Sequence, residues 1–301
     1  TGYFESVSAS TTTGWSLLKE KNLPRSITLH RSLNQWVGGL GLVFILLTFF
    51  YPSQSVDHFG KILSVEKITG NIKKSFILVL IVYSILAVIF ISIFYILGFG
   101  DLLQSSSIVL SGLVTGSFPF QDISTNLTFN ILLMIMMVIG ATNFWVLYRI
   151  FTGNIKKAFV KEFGLFLLIL FLGTAFIHTI SNMDVLSSVF HVISASSTTG
   201  LSYVNFQSIT QPNLVHSLKM IFIILMLIGG CSFSTAGGIK VKRMIIFFKS
   251  IPWAIKKEIT KKDESVVYDG TLMRDSDIVL HLMVIILSII LIFVSAFIFS
   301  F

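Results

Sequence analysis

Two stretches of the chain, FESVSASTTTGWS (4–16) and FHVISASSTTGLS (190–202), are copies of one another. They agree at 8 of 13 positions, at a constant offset of 186 residues. A third and more diverged copy, SSSIVLSGLVTGSF (105–118), keeps the Thr-Gly pair. Similarity at internal copies indicates a repeated structural unit, so the segments around each copy should repeat as well.

Long windows without Asp, Glu, Lys or Arg surround these copies. About 20 apolar residues in a helix cross the roughly 30 Å hydrocarbon core of a bilayer. We therefore predict membrane helices in 32–56, 75–100, 123–148, 163–183, 220–239 and 278–301. The composition agrees, with 54% hydrophobic and 12% charged residues and a mean hydropathy of +0.87. Soluble domains average about 25% charged residues, so a purely soluble enzyme or nucleic-acid-binding module is excluded.

The basic residues predict the orientation of these helices. Of the 22 Lys and Arg residues, 17 lie in 51–74, 149–162 and 240–277, which we therefore place in the cytoplasm. The remaining five lie on the other side, and four of them are Lys19, Lys21, Arg25 and Arg31. The single cysteine, Cys231, excludes an intramolecular disulfide framework.

Three short, charge-free segments rich in Ser and Thr contain the copies: 6–18, 102–121 and 185–202. All three lie on the outer side in this topology. Non-helical backbone at membrane depth persists only inside protein or along a water-filled path, so these segments predict re-entrant loops around a pore. The fold class that follows is an all-α polytopic membrane protein, built from helix–re-entrant pore loop–helix units around a central pore with pseudo-fourfold symmetry.

The chain divides accordingly. Unit one (1–50) lacks its first helix, and unit four has only its first helix (278–301), so we expect the sequence to be a piece of something longer. The parts between are a cytoplasmic linker (51–75), unit two (76–150), a second linker (151–162), unit three (163–243) and a third linker (244–277).

The Thr-Gly strands suit a cation filter. Backbone carbonyls that face an axis can replace the water shell of a dehydrated cation. Glycine permits the unusual dihedral angles that such a strand needs, and pore helices would direct their partial negative ends at the ion. The strands hold no charged residue, which favours selection by carbonyls over a charged ring.

The segment GGCSFSTAGGIK (229–240) interrupts a window that we predict to span the membrane. Its small residues are compatible with close helix packing. They are equally compatible with an unwound loop across the pore, whose hydroxyl groups pair with freed backbone groups. The segment is not a phosphate-binding loop, because Ile239 separates Gly238 from Lys240.

Four stretches together resemble the membrane subunit of Trk/Ktr-type potassium-uptake transporters: SASTTTGWS (8–16), LPRSITLHRSLNQWVGGLGLVF (23–44), SASSTTGLS (194–202) and GGCSFSTAGGIKVKR (229–243). The resemblance implies four units around one conduction path, a homodimer in the plasma membrane, and a cytoplasmic ring of nucleotide-binding TrkA/KtrA-like subunits. It also implies that Arg25 and Arg31 lie outside despite the charge rule.

The resemblance assigns roles to individual residues. It implies that potassium, which is the transported ion and the one expected metal, binds in a filter. The filter residues are Thr12, Thr13, Gly14, Val114, Thr115, Gly116, Thr198, Thr199 and Gly200. It implies a gate loop at 229–238 that includes Gly229, Gly230, Ser234, Thr235, Gly237 and Gly238. It makes Lys240, Lys242 and Arg243 candidates for docking the regulatory ring. Relatives with Ser at the first filter Gly favour sodium, whereas all three filters here have Gly, which points to potassium.

Other functions remain alternatives. A secondary transporter of another small solute would have inverted repeats and a midplane pocket, and a sodium-selective relative would share this fold. A membrane enzyme needs clustered catalytic side chains within the spans, and the acidic residues here lie at the ends of the spans. We therefore expect that the protein is not an enzyme. We also expect no cofactor and no nucleic-acid partner. Because the acidic residues lie at the ends of the spans, the sequence offers no buried carboxylate for a proton path. Proton symport is therefore disfavoured, although the coupling ion stays open. We expect His191 to serve packing.

Overall fold

The computed structural model describes residues 1–18, 23–49, 72–116, 126–153, 161–181, 183–202, 212–260, 266–268, 271–298 and 300. The helices are α1 (Gly2–Ser10), α2 (Arg25–Phe49), α3 (Ile72–Ile96), α4 (Leu102–Leu113), α5 (Leu127–Ala141), α6 (Phe144–Phe151), α7 (Lys161–Ser181), α8 (Val185–Ser196), α9 (Pro212–Ile228), α10 (Val241–Thr260) and α11 (Asp275–Ile298). Two short strands, β1 (Val266–Tyr268) and β2 (Thr271–Met273), separate α10 from α11.

Among the described residues, three helices are long and apolar enough to cross a membrane. They are α7, α11 and the part of α3 that covers Ile77–Ile96. Their outward faces remain apolar, and Phe171 and Phe293 are each 70% exposed. Apolar surface of this kind is unusual on a soluble monomer and fits contact with lipid. The spans expected at 75–100, 163–183 and 278–301 are thus confirmed, and the chain is a multi-pass membrane protein.

The boundaries of the first two units differ slightly from expectation. Helix α2 covers most of the window 32–56, whose last seven residues lie outside the described part together with most of the linker 51–75. Helix α3 begins at Ile72, four residues before the expected start of unit two. Terminal residues of this kind are the least certain part of a sequence-based boundary.

The window 123–148 is not one straight span, which corrects the prediction. Helix α5 ends at Ala141, and α6 leaves it at an angle of 110°. Thr142 is extended, and the Asn143 side chain caps α6 by accepting a hydrogen bond from the N–H of Trp145 at 2.8 Å. Polar side chains that bond the local backbone favour such a helix end, and hydropathy alone does not register it.

The expected linker 244–277 contains regular secondary structure. Helix α10 occupies 20 residues, with Pro252 inside it, and packs against α7 and α11. Strands β1 and β2 pair antiparallel, with Val266 opposite Met273. The Lys242 ammonium lies 5.3 Å from the ring centre of Tyr268, which joins the start of α10 to this hairpin.

The three short helices α1, α4 and α8 are the pore helices expected from the repeats. Helix α2 packs against both α1 and α4, while α8 packs against α5, α7 and α9. Asp101 and Asp184 cap α4 and α8 by accepting hydrogen bonds from the third residue along. The bonds from Ser187 lower the pKa of Asp184 below its usual value. The copies of one sequence motif are thus held by neighbouring helices around a common region.

Candidate ion-conduction site

Each pore helix ends in a threonine with a left-handed backbone. The φ angles of Thr12, Thr115 and Thr198 are 55°, 55° and 57°. This conformation is strained for a β-branched residue and persists only where the surroundings enforce it. Threefold repetition of the same strained residue indicates a functional segment.

In the first copy, one serine holds the strand at two points. The carbonyl of Ser8 accepts hydrogen bonds from the N–H groups of Thr13 and Gly14, at 2.9 and 3.3 Å. The hydroxyl of Ser8 donates to the carbonyl of Trp15 at 2.6 Å. The strand is therefore folded back over the last turn of its own pore helix.

The third copy repeats this arrangement. The carbonyl of Ser194 accepts from Thr199 and Gly200 at 3.0 and 3.3 Å, and its hydroxyl donates to Leu201 at 2.6 Å. Gly14 and Gly200 both have a φ of 76°, which glycine adopts without strain. The 186-residue repeat is thus a structural repeat at the level of single hydrogen bonds.

The second copy matches the others in a different register from the one expected. The sequence comparison pairs Thr115 with Thr13 and Gly116 with Gly14. In the structure, Thr115 has the left-handed backbone of Thr12, and the N–H of Gly116 bonds to Ser111 as that of Thr13 bonds to Ser8. The alignment therefore shifts by one residue. The position of Gly14 and Gly200 then falls, by chain order, on Ser117, which lies outside the described residues.

Helix α2 lies between the first and second strands. Its close approach to both strands accounts for Gly38 and Gly39. A Cβ on Gly38 would lie 2.0 Å from the carbonyl oxygen of Ser10. A Cβ on Gly39 would lie 2.8 Å from the Cβ of Val114 and 3.4 Å from the Cγ2 of Thr12. Only glycine permits this approach, so the two strands converge on one helix.

The acidic partners of the outer arginines come from the pore segments. Arg25 forms an ion pair with Asp101, the cap of α4, and Nη2 of Arg31 lies 3.1 Å from Oε2 of Glu5 on α1. Gln35, one turn further along α2, accepts a hydrogen bond from the hydroxyl of Ser111 on α4 at 2.5 Å. Arg25 and Arg31, which we expect on the outer side, thus contact pore helices, and this contact gives a reason for their departure from the charge rule.

The segment after α9 is an unwound loop, which decides between the two interpretations of 229–240. Helix α9 ends at Ile228 and α10 begins at Val241. Gly229, Phe233, Gly238 and Lys240 have positive φ angles. At the neck of the loop, a Cβ on Gly238 would lie 2.6 Å from the Cα of Gly229, so the two ends touch. A continuous helix-packing seam is excluded.

The loop is bonded to the break between α5 and α6. The N–H of Cys231 donates to Ala141 at 2.9 Å, and the N–H of Thr235 donates to Gly140 at 3.2 Å. In return, the N–H of Phe144 donates to Phe233 at 2.9 Å. The bend at Thr142 thus frees backbone groups that the loop then satisfies.

The loop also contacts two of the strained threonines directly. The N–H of Gly237 donates to Oγ1 of Thr198 at 2.6 Å. The hydroxyl of Thr115 lies 3.2 Å from the carbonyl of Thr235 and 2.7 Å from that of Val114. The second and third strands therefore converge on the loop, as the first and second converge on α2.

Lys240, Lys242 and Arg243 face the protein more than the solvent. The Lys240 ammonium donates to the carbonyl of Ala236 within the loop. Arg243 is buried and donates to the carbonyl of Ile239 at 2.8 Å, while Lys242 lies over Tyr268. The three basic residues therefore contact the loop and the hairpin, and their role in docking the regulatory ring stays a prediction.

Buried carboxylates are present, which corrects the expectation from the sequence. Glu5, Glu162 and Asp277 are all buried. Oε1 of Glu162 accepts hydrogen bonds from the N–H groups of Ser232 at 2.6 Å and Lys242 at 3.2 Å, so it joins the two sides of the loop to the start of α7. The argument against proton symport from missing carboxylates no longer holds. Their separation along the chain hid these contacts.

Comparison with known proteins agrees with this architecture. A family model described as a cation transport protein, TrkH, matches residues 205–300. The crystal structure of the potassium transporter TrkH from Vibrio parahaemolyticus superposes with a TM-score of 0.78 at 22% identity, over 93% of this chain and 60% of that one. The chain is therefore similar to TrkH in fold, and residues 205–300 are similar to that family in sequence.

Curated proteins with similar sequences support the same relationship. An uncharacterized cation transporter of Methanocaldococcus jannaschii is 30% identical over 277 residues, which cover 86% of this chain and 54% of that protein. The Trk system potassium uptake protein TrkH of Escherichia coli is 25% identical over 270 residues, 82% and 54% of the two chains. The chain thus spans about half the length of the curated relatives it matches.

Proposed function

We propose that the complete protein transports potassium across the plasma membrane through a filter to which Thr12–Gly14, Val114–Gly116 and Thr198–Gly200 contribute. The observation that carries this proposal is the strained threonine repeated at the end of three pore helices. Strands folded over helix ends present carbonyl oxygens, and the partial negative charge of those ends favours a cation. Potassium is the ion named for several relatives.

The loop 229–240 is the gate in this proposal. It lies against the threonines of two strands, so an ion that leaves the strands on this side meets the loop. Its polar backbone is paired with α5, α6 and Glu162, which stabilises a closed arrangement without a helix. Movement of the loop would open the path and leave the strands intact.

The proposed partners rest on the similarity to the relatives and not on contacts within this chain. We propose a homodimer surrounded by lipid and regulated by a cytoplasmic TrkA/KtrA-like ring. Because Lys240 and Arg243 bond within the chain, the ring would act on α10 or the hairpin, and these residues would transmit its effect to the loop.

A sodium-selective transporter is the second candidate. The register of the second strand places Ser117, rather than a glycine, at the position of Gly14 and Gly200. An extra side chain at one filter position can change the ion that the carbonyls accommodate. Two strands retain glycine at this position, which favours potassium.

Rubidium uptake by the full-length protein tests both candidates. Cells without their own potassium uptake systems would express it, and unlabelled potassium or sodium would compete with radioactive rubidium. We expect uptake above an empty-vector control that potassium inhibits at lower concentration than sodium. The reverse order would establish the sodium candidate, and uptake absent from cells with membrane-inserted protein would refute ion transport.

A further inference from the structure

Glu5 and His191 occupy the same place in two copies of the repeat. They are 186 residues apart, on the pore helices α1 and α8, one turn before the serine that folds the strand back. Both are buried, with exposures of 6% and 4%. A buried carboxylate and a buried imidazole at equivalent positions of two apolar helices need an explanation, because polar groups are costly to bury without partners.

Glu5 holds the chain just beyond the first strand. Its Oε1 accepts hydrogen bonds from the hydroxyl of Ser16 at 3.0 Å and from the N–H of Leu17 at 2.8 Å. Its other oxygen faces Arg31 of α2. The arginine compensates the buried charge, as a buried ionised group requires.

His191 makes the equivalent contact without a charge. Its Nδ1 lies 2.7 Å from the carbonyl of Ser187, and a carbonyl can only accept, so Nδ1 carries the proton. In the neutral ring, Nε2 is then an acceptor, and it lies 3.0 Å from the hydroxyl of Ser202. Ser202 is the repeat counterpart of Ser16. Both side chains therefore accept a hydrogen bond from the same position of their strands.

Each of the two strands is thus fixed at both ends to one pore helix. The inner attachment is Ser8 or Ser194, and the outer one is Glu5 or His191. In the second copy the corresponding residue is Ile108, which has no polar group, and there Gln35 of α2 contacts Ser111 instead. Attachment of the outer strand end by a polar side chain of the pore helix is therefore a feature that the first and third copies share.

We propose that Glu5 and His191 are positioning residues that set cation selectivity by fixing the outer ends of the first and third strands. This inference rests on the proposed function. Carbonyls discriminate between cations only while their positions are held, and a site needs supporting hydrogen bonds to stay within about 0.5 Å of its geometry. Release of an outer end lets the carbonyls adjust to the smaller sodium ion.

A double-mutant cycle in the full-length protein tests the third strand. The variants are His191→Leu, Ser202→Ala and the combination, with His178→Leu as a control on the exposed end of α7. We expect each single variant to lower the potassium-to-sodium uptake ratio by about fivefold. This change corresponds to the loss of one hydrogen bond that contributes about 1 kcal/mol. The double variant should lose no more than either single one, since both remove the same bond.

The outcomes separate this inference from the proposed function. Losses that add in the double variant, or a ratio unchanged at normal abundance, would overturn the positioning role even if the wild-type protein transports potassium. If His191→Leu does not accumulate in the membrane, Ser202→Ala decides alone: a lowered ratio supports the positioning role, and an unchanged ratio overturns it. A wild-type protein that does not transport potassium would instead refute the proposed function.

The first strand provides a graded comparison. Ser16→Ala removes one donor to Glu5 but leaves the N–H of Leu17 in place, so we expect a smaller fall in the ratio than with Ser202→Ala. Glu5→Ala removes both contacts and leaves Arg31 without this carboxylate, so it should have the larger effect. Equal ratios in Glu5→Ala and wild type, at equal abundance, would overturn the role of Glu5.

Discussion

The N–H of Gly237 donates a hydrogen bond to Oγ1 of Thr198 over 2.6 Å. Thr198 is the strained first residue of the third strand, and Gly237 belongs to the loop 229–240. The loop is therefore bonded to the strand itself and not merely near it. This contact makes the state of the loop and the state of the strand dependent on one another.

Removal of this hydroxyl should weaken closure of the loop. Thr198→Val keeps the shape of the side chain, and it removes an acceptor for a hydrogen bond that contributes about 1 kcal/mol. The loop should then open more often by about fivefold. The measurement is the rate at which a water-soluble thiol reagent modifies Ser234→Cys, which is buried in the closed loop, in a Cys231→Ala background.

Thr198→Ser is the matched control, because it retains the hydroxyl group. We expect its modification rate to equal that of the parent protein. Equal rates for the valine and serine variants would show that the contact with Gly237 does not hold the loop.

Glu162 should stabilise the same loop from the other side. Glu162→Ala removes the acceptor for the N–H groups of Ser232 and Lys242, and each buried donor that loses its partner costs about 1–3 kcal/mol. We expect a lower thermal unfolding temperature and a raised, still potassium-selective flux. Detergent-phase thermal unfolding and rubidium uptake measure the two effects.

Two variants make the Glu162 prediction specific. Glu162→Gln keeps an acceptor oxygen and should lie between wild type and alanine, whereas Glu258→Ala, on the exposed face of α10, should resemble wild type. A Glu162→Ala protein with unchanged stability and flux would contradict an anchoring role.

Reciprocal substitutions test the register of the filter. Gly200 has a φ of 76°, so Gly200→Ser forces a side chain into a strained backbone and should lower the potassium-to-sodium ratio. The shifted alignment gives the opposite expectation for Ser117→Gly, which makes the second strand like the other two and should raise the ratio.

Competition of potassium and sodium for rubidium uptake measures both variants. Gly14→Ser should behave like Gly200→Ser, because the two glycines share one backbone conformation. Unchanged selectivity in both serine variants would remove these strands from the filter. An unchanged ratio in Ser117→Gly would contradict only the shifted register.

The positive-inside orientation predicts which residues are accessible from outside. The orientation places Ser55, Thr152, Lys256 and Ser265 in the cytoplasm. The structure does not describe Ser55 or Ser265, so the exposed residues Thr152 and Lys256 are chosen for cysteine labelling. Cysteines there should resist an impermeant reagent in intact cells, while Val185→Cys should react. Reaction at Thr152→Cys or Lys256→Cys from outside would overturn the topology.

The sequence predicts the parts of the site that depend on local pattern. Ser8 and Ser194 lie at the same distance from their Thr-Gly pairs, and the structure gives them the same hydrogen bonds. The apolar windows likewise identify α3, α7 and α11, because length and hydropathy determine a spanning helix.

The parts that the sequence did not predict depend on contacts distant in the chain. Thr142 and Asn143 are compatible with a span until the loop offers partners for the broken backbone. Glu162 lies 70 residues before Ser232, so nothing local indicates their contact. Matching letters align Thr115 with Thr13, whereas the hydrogen bond from Gly116 to the last turn of α4 aligns Thr115 with Thr12.

The location of bound ions in the complete protein tests the central claim most directly. Crystals of the full-length protein in rubidium, measured for anomalous scattering, would show where the cation binds. We expect rubidium against the carbonyl oxygens of Thr12–Thr13 and Thr198–Thr199, either between the strands or on the side of the strands away from the loop 229–240. Rubidium bound elsewhere along the path, with none against those carbonyls, would contradict it.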